Sequence, residues 1–233
     1  MRKRTCGWVA ALCVSAMASG ASLALAVDAP AAASTSGSLS ASVDASDPAK
    51  LVQTAASAML KDLDAHRADY KANPNKVHQL VDQVLLPHFD SDYSARLVLG
   101  HHWGEANDDQ RKRFINAFYR SLLNNYGDAL TDFTADKLKV LPFTGDAKAK
   151  DSTVRTTVKK SDGATVAVDY RLHQTDAGWK AWDVVIEGIS YVKSFRDDFD
   201  SEISQQGIDE VIKRLESGDT PAAIKGAANG KKS

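Results

Sequence analysis

The residues of this chain that could do chemistry are its histidines and its short clusters of carboxylates, and neither set has a catalytic spacing. His101 and His102 are adjacent, so on a helix or strand their rings point apart. They lack the i, i+4 spacing that puts two imidazoles on one helix face for a metal, and no metal site is expected there. His88, Asp90 and Asp92 fall between two helical patterns and read as a solvated loop rather than an acid–base dyad. Asp197, Asp198, Asp200 and Glu202 form an acidic run without the glycine turn and closing bidentate glutamate of a calcium loop, and read as a solvated helix face. There is no glycine-rich phosphate loop and no G-x-S-x-G elbow, and both cysteines, Cys6 and Cys13, lie near the N-terminus. No catalytic residue, metal or cofactor is expected. What recurs instead is large apolar residues at regular spacing, which favours binding.

The elements that position those apolar residues fall into a helical half and a sheet half. Asp47-Pro48 starts a first helix, with Leu51, Ala55, Met59 and Leu63 on one face. Asn73-Pro74 repeats that start, and Pro87 stops the second helix. A short helix from about Tyr93 ends at Gly100. Asn107 and Gln110 then form a capping box ahead of Phe114, Ile115, Phe118, Tyr119, Leu122, Leu123 and Tyr126. At about 100° per residue these cover close to half the circumference, wider than a surface helix needs. Two accounts stay open: a central helix packed on all sides, or a helix with part of its face lining a cavity. Two closing helices carry Phe195, Phe199 and Ile203, then Ile208, Val211, Ile212 and Leu215.

From Lys137 the apolar period becomes two, with strands over residues 153–160, 164–173 and 179–186. A three-residue loop, Ser161-Asp162-Gly163, sets Val158 beside Val166 and Val154 beside Tyr170. A second loop, Asp176-Ala177-Gly178, sets Leu172 opposite Trp182, Tyr170 opposite Val184 and Val168 opposite Ile186. Both place Val154, Val158, Val166, Val168, Tyr170, Leu172, Trp182, Val184 and Ile186 on one face. Arg155, Thr157, Lys159, Asp169, Arg171, His173 and Asp183 fall on the other. The expected fold is α+β: a one-sided antiparallel sheet whose apolar face the helices cover.

The ends have a different composition. Residues 1–26 read as a secretory signal peptide: basic Arg2-Lys3-Arg4, an uncharged stretch, and an A-x-A site at Ala24-Leu25-Ala26. Cys13 follows Leu12 directly, which is not a lipoprotein context, and no thiol survives cleavage. Residues 27–46 read as a flexible Ala/Ser-rich leader, 47–217 as the folded domain and 218–233 as a flexible tail. Cleavage removes three cations, leaving 26 against 30 acidic groups, a net charge of −4. Such a surface has no basic patch for nucleic acid.

Two stretches carry a family resemblance: LGHHWGEANDDQRKRFINAFYRSLLNNYGDAL, with Gln110, Phe114, Phe118, Leu122 and Tyr126, and WDVVIEGISYVKSFRDDFDSEISQQGIDEVIKRL. Together they resemble the MlaC family, the toluene-tolerance (Ttg2-type) periplasmic phospholipid carriers, over about residues 48–216. The resemblance implies an NTF2-like curved sheet against helices that enclose an apolar pocket for acyl chains. It implies a periplasmic monomer that shuttles phospholipid between an outer-membrane lipoprotein–porin complex and an inner-membrane ABC transporter bearing an MCE-domain ring. The candidate pocket is then the sheet face above together with Phe114, Phe118, Leu122, Tyr126, Phe195 and Phe199, with Tyr191, Lys193 and Arg196 at a rim near the head group and the docking partner. Two alternatives stay open: a carrier of another hydrophobic ligand, and an NTF2-like isomerase or dehydratase, which would need a buried carboxylate on the apolar sheet face.

Overall fold

Helix starts fall where the caps place them. In a computed structural model that describes residues 42–130, 137–145, 149–159 and 163–218, the Asp47 carboxylate accepts the amides of Ala49 and Lys50 at 2.9 and 3.0 Å and opens α1 (Pro48–Ala65). A six-residue helix, α2 (Arg67–Ala72), follows without a signature of its own. Asn73 stands before α3 (Pro74–Val84) but makes no side-chain cap bond, so that start rests on the fixed φ of Pro74. After a 3₁₀ turn at Leu86–His88, Asp90 caps α4 (Ser91–Leu99) by accepting the Tyr93 amide. Then come α5 (His102–Glu105) and the long α6 (Asp108–Leu130). Its capping box is reciprocal: the Asn107 amide donates to Gln110 Oε1 at 3.0 Å, and the Gln110 amide to Asn107 Oδ1 at 2.9 Å. The signal peptide, the leader up to residue 41, most of the first hairpin loop (Ser161, Asp162) and the tail beyond 218 lie outside the described residues.

Among the described residues, five antiparallel strands run in sequence order: β1 (Leu138–Val140), β2 (Asp151–Lys159), β3 (Thr165–Thr175), β4 (Gly178–Ile186) and β5 (Ile189–Ser190). The two end strands are additions to the three read from the sequence, both too short to show a period. Between β2 and β3 the register is the expected one, with Val158 opposite Val166 and Val154 opposite Tyr170. Gly163 takes a φ of +87°, the left-handed position that closes such a loop.

The β3–β4 register is half right. Tyr170 faces Val184 and Val168 faces Ile186, but between Arg171 and Leu172 the ladder slips by one, and Leu172 faces Ala181 rather than Trp182. Thr175 pairs with Gly178, so the turn is the two residues Asp176-Ala177, not three. The extra residue in β4 reverses side-chain parity along the outer half of the strand. Trp179, not Trp182, joins the Leu172 face and is 2 % exposed. Trp182 turns to the opposite face, where the Arg171 guanidinium lies 5.9 Å from its ring and Tyr93 packs edge-on at 5.7 Å. The run Trp179 to Trp182 has an indole on both parities, so periodicity could not separate the two registers.

At Glu187-Gly188, with φ of +51° and +81°, the chain makes a tight hairpin turn into β5. The Glu187 carboxylate accepts the Ala167 amide at 2.6 Å while the Glu187 amide donates to the Ala167 carbonyl. Serine 190 then caps α7 (Tyr191–Gln206), and α8 (Ile208–Glu216) follows from Gly207. Packing begins before α1: the Trp179 amide donates to the Ala45 carbonyl at 3.0 Å, and Val43 and Ala45 pack against the core.

Among the described residues, the buried side chains form three clusters. Residues of α4, α6, α7 and α8 make the first, around Phe114, Phe118, Phe195 and Phe199. The second joins α1, α2 and α3 around Leu63, Val77, Leu80 and Val84. In the third, Leu51 and Val52 of α1 pack on Val154, Leu172 and Trp179 of the sheet.

Candidate functional site

Cross-strand pairing puts Leu138, Val158 and Val166 in one row of a single sheet face, then Val140, Thr156, Val168 and Ile186, then Val154, Tyr170 and Val184, then Ser152, Leu172 and Ala181. Among these residues there is no formal charge. The hydroxyl of Thr156 is satisfied inside the sheet, donating to the Val168 carbonyl at 2.7 Å. Burial raises the Tyr170 phenol above its ordinary range, so the group stays neutral at any physiological pH.

The face is closed at one end and half-open at the other. Leu172 and Val154, at 0 % and 1 % exposure, are sealed by α1. Val158 and Val168 are buried without belonging to any of the three clusters, and Val166, Tyr170, Val184 and Ile186 are only half-buried. A row of branched apolar side chains left half-covered, with no ion to solvate, suits the flank of an apolar molecule better than it suits water.

The helix residues proposed from the sequence sit elsewhere. Phe114, Phe118, Phe195 and Phe199 pack on one another, with ring centres 4.9–5.7 Å apart across the edge-on pairs. Among the described residues, no strand residue belongs to their cluster. They therefore form a filled core between helices and are not gathered with the sheet valines into one lining. Leu122 is half-buried at the edge of this core, and the Tyr126 side chain lies outside the described residues. Of the rim candidates, Tyr191 packs edge-on against Phe195 at 5.9 Å, and Lys193 is exposed. Arg196 lies along Gly100, where a Cβ would come within 3.0 Å of its Nε.

One important residue escaped the sequence reading. Asp183 lies on the polar side of the sheet as expected but is 1 % exposed, because α4 and α7 cover that side at β4. Its carboxylate accepts the Val192 amide at 3.0 Å and the Ser190 hydroxyl at 2.6 Å, and pairs with Arg171 at 3.2 Å. It is the joint between β4 and the first turn of α7. A second polar contact, His173 Nε2 to Asp90 at 2.9 Å with the Tyr93 ring tilted at 46° beside it, docks α4 on the same side. His88 takes no part in it: its Nε2 is buried without a hydrogen-bond partner, and burial lowers its pKa. A groove of about 400 Å³ on this polar side has a mixed lining: Arg155, Arg171 and Asp151 on one part, and Phe143, Leu172 and Trp182 on another. Among the described residues, the rows of the apolar face given above contain no carboxylate.

Fold and face together define an α+β domain whose distinguishing surface is apolar and uncharged. The chain belongs to the MlaC family, whose description, MlaC protein, matches residues 53–217. It is 32 % identical over 168 residues to the toluene tolerance protein ttg2D of Pseudomonas putida, covering 72 % of this chain and 78 % of that one. To the intermembrane phospholipid transport system binding protein MlaC of Haemophilus influenzae it is 24 % identical over 172 residues, 72 % of this chain and 80 % of the relative. Its fold is similar to the phospholipid-binding protein of Ralstonia solanacearum solved in complex with a phospholipid, with a TM-score of 0.70 and 28 % identity over 74 % of this chain and 97 % of that one. Among the described residues no helix is long and apolar enough to cross a membrane.

Proposed function

We propose that this chain is a periplasmic phospholipid carrier that lays acyl chains along the half-open end of the uncharged sheet face, around Val166, Val168, Tyr170, Val184 and Ile186. The observation that carries this reading is that face itself: apolar, free of ions, half-covered, and set in a chain of the MlaC family with a lipid-complexed relative. Diacyl chains cannot cross water exposed, since each methylene withdrawn from water is worth about 0.8 kcal/mol. The head group can stay hydrated, so no dedicated phosphate site is needed.

In this proposal residues 1–26 direct export and are removed, and the mature domain shuttles between membranes. It exchanges lipid with an inner-membrane MCE-domain ABC transporter and an outer-membrane lipoprotein–porin complex through transient contacts near Tyr191 and Lys193. Native mass spectrometry and lipid extraction of protein purified from the periplasm test it. Diacyl phospholipid with chains typical of the host is expected; protein that arrives empty, or carries only a polar metabolite, overturns the proposal. Crosslinkers at Tyr191 and Lys193 should capture the MCE ring or the lipoprotein. Capture only from Arg155 or Arg171 would move docking to the polar side.

A further inference from the structure

Strand pairing gathers cations that the sequence leaves scattered. Lys139 of β1 stands opposite Thr157 of β2, so it shares a face with Arg155 and Lys159, and all three are exposed. That face is the outer, polar one. The helices that return to it, α4 and α7, pack at β4 and β5, while α1 meets β1 and β2 from the apolar side. Among the described residues none of the three cations is ion-paired, whereas Arg171 in the row beyond Arg155 is held by Asp183 at 3.2 Å. The carboxylate across from Arg155, Asp169 on β3, is half-buried, and the exposed Asp151 lies at the far end of β2. Lys159 pairs with Thr165, and the next row runs from Lys139 through Thr157 to Ala167, which bonds Glu187 in the β4–β5 turn. This is the end at which the apolar face is half-open, and there Ile189 is 61 % exposed. We propose that this end of the domain docks on an anionic lipid surface, with Lys139, Arg155 and Lys159 against the head groups and Ile189 entering the boundary with the hydrocarbon.

Charge and apolar exposure carry the proposal together. Cations spread over several rows of a bare sheet face have no preset pairing geometry. They suit mobile phosphates, which rearrange beneath them, better than the fixed carboxylates of a folded partner. Ile189 is the most exposed large apolar side chain among the described residues. Its turn stands clear of the domain, since nothing lies within 4 Å of a Cβ built at Gly188. Neither signal anchors a protein alone, but a basic strip joined to a small apolar contact gives reversible adsorption, which a carrier that must leave again requires. Cations, apolar tip and ion-free face follow the order of head group, interface and hydrocarbon in a bilayer. Docking there turns the open end of the apolar face toward the layer that holds its cargo. The inference rests on the carrier reading for its purpose, while adsorption itself is measured without it.

Protein purified from the periplasm is sedimented with vesicles of equal parts phosphatidylglycerol and phosphatidylcholine, and with vesicles of phosphatidylcholine alone. Retention is expected on the first only. It should be lost as salt rises from about 0.1 M to about 1 M, which shortens the screening length from about 10 Å to about 3 Å. Each cation near such a surface is worth about fivefold in affinity, so Lys139→Gln, Arg155→Gln and Lys159→Gln combined should weaken retention about a hundredfold. Ile189→Ser should weaken it about tenfold. All four positions are exposed, so the melting temperature should hold. The triple variant should still carry phospholipid like the parent, which separates loss of docking from loss of cargo. No retention on phosphatidylglycerol, equal retention on both vesicles, or retention that either the triple variant or Ile189→Ser leaves unchanged overturns the docking surface. A triple variant that keeps its vesicles but loses its crosslinks to the MCE ring overturns it too, and gives the strip to a protein partner. Protein that arrives without phospholipid yet shows the expected retention would sink the carrier reading and leave the surface standing.

Discussion

Placing the same large side chain at two points of one sheet face separates lining from core. Leu172 is fully buried beneath α1, touching the cluster of Leu51, Val52, Val154 and Trp179. Leu172→Trp forces an indole into filled space, and overpacking of that kind costs about 1–3 kcal/mol. In a domain of this size each kcal/mol shifts the melting temperature by about 2–4 °C, so the loss should be about 2–12 °C. Val184, one row away opposite Tyr170, is half-buried. There the added volume points where the structure is open, and Val184→Trp should cost less than about 1 kcal/mol, the level of a tolerated substitution. Its effect should fall on ligand instead. Excluding roughly three methylenes of an acyl chain, at about 0.8 kcal/mol each, removes about 2.4 kcal/mol, close to a fiftyfold loss of affinity. Thermal melts and phospholipid recovered per chain read the two quantities. A Val184→Trp protein that melts as low as Leu172→Trp while retaining its lipid would refute the division of the face into a closed and an open end.

The register slip makes a second test: Trp179→Ala should cost about 3–5 kcal/mol, as for a buried aromatic, and Trp182→Ala distinctly less, measured by urea unfolding; the reverse order would restore the unbroken ladder. Asp183→Ala leaves the Val192 amide and Arg171 without their shared acceptor and should cost about 3–5 kcal/mol, whereas Asp183→Asn, which keeps an oxygen for Val192, should cost less; equal losses would show that the hydrogen bonds there contribute nothing. Arg113, bonded to Glu216 at 2.8 and 2.9 Å, holds the Glu216 carboxyl below its ordinary value of 4.5. A carboxyl lowered by folding stabilises above its unfolded pKa, and that contribution fades as pH falls through the folded one. Arg113→Ala should therefore melt slightly lower than the parent at pH 7 and converge with it in acid, and a gap that widens on acidification would contradict the pairing.

Local chemistry was enough for the features that depend on neighbours in the chain. The cap at Asp47, the box of Asn107 and Gln110, the left-handed Gly163 and the β2–β3 register each involve residues within a few positions or across one loop, and all four are found in the structure. The α+β class followed from the change of period at Lys137. Tertiary structure decided what proximity along the chain cannot encode. A bulge in β4 chose between two tryptophans of opposite parity, because the choice depends on which indole α1 can cover. Asp183 became a buried joint because two helices return to the polar side of the sheet, although nothing in its strand pattern marks it. The four phenylalanines look like cavity lining on a helical wheel, yet each fills space left by another helix, and only the relative placement of α4, α6, α7 and α8 could show it. Asp200 meets His101 and His102 across nearly a hundred residues of chain, a separation at which sequence spacing carries no information about distance.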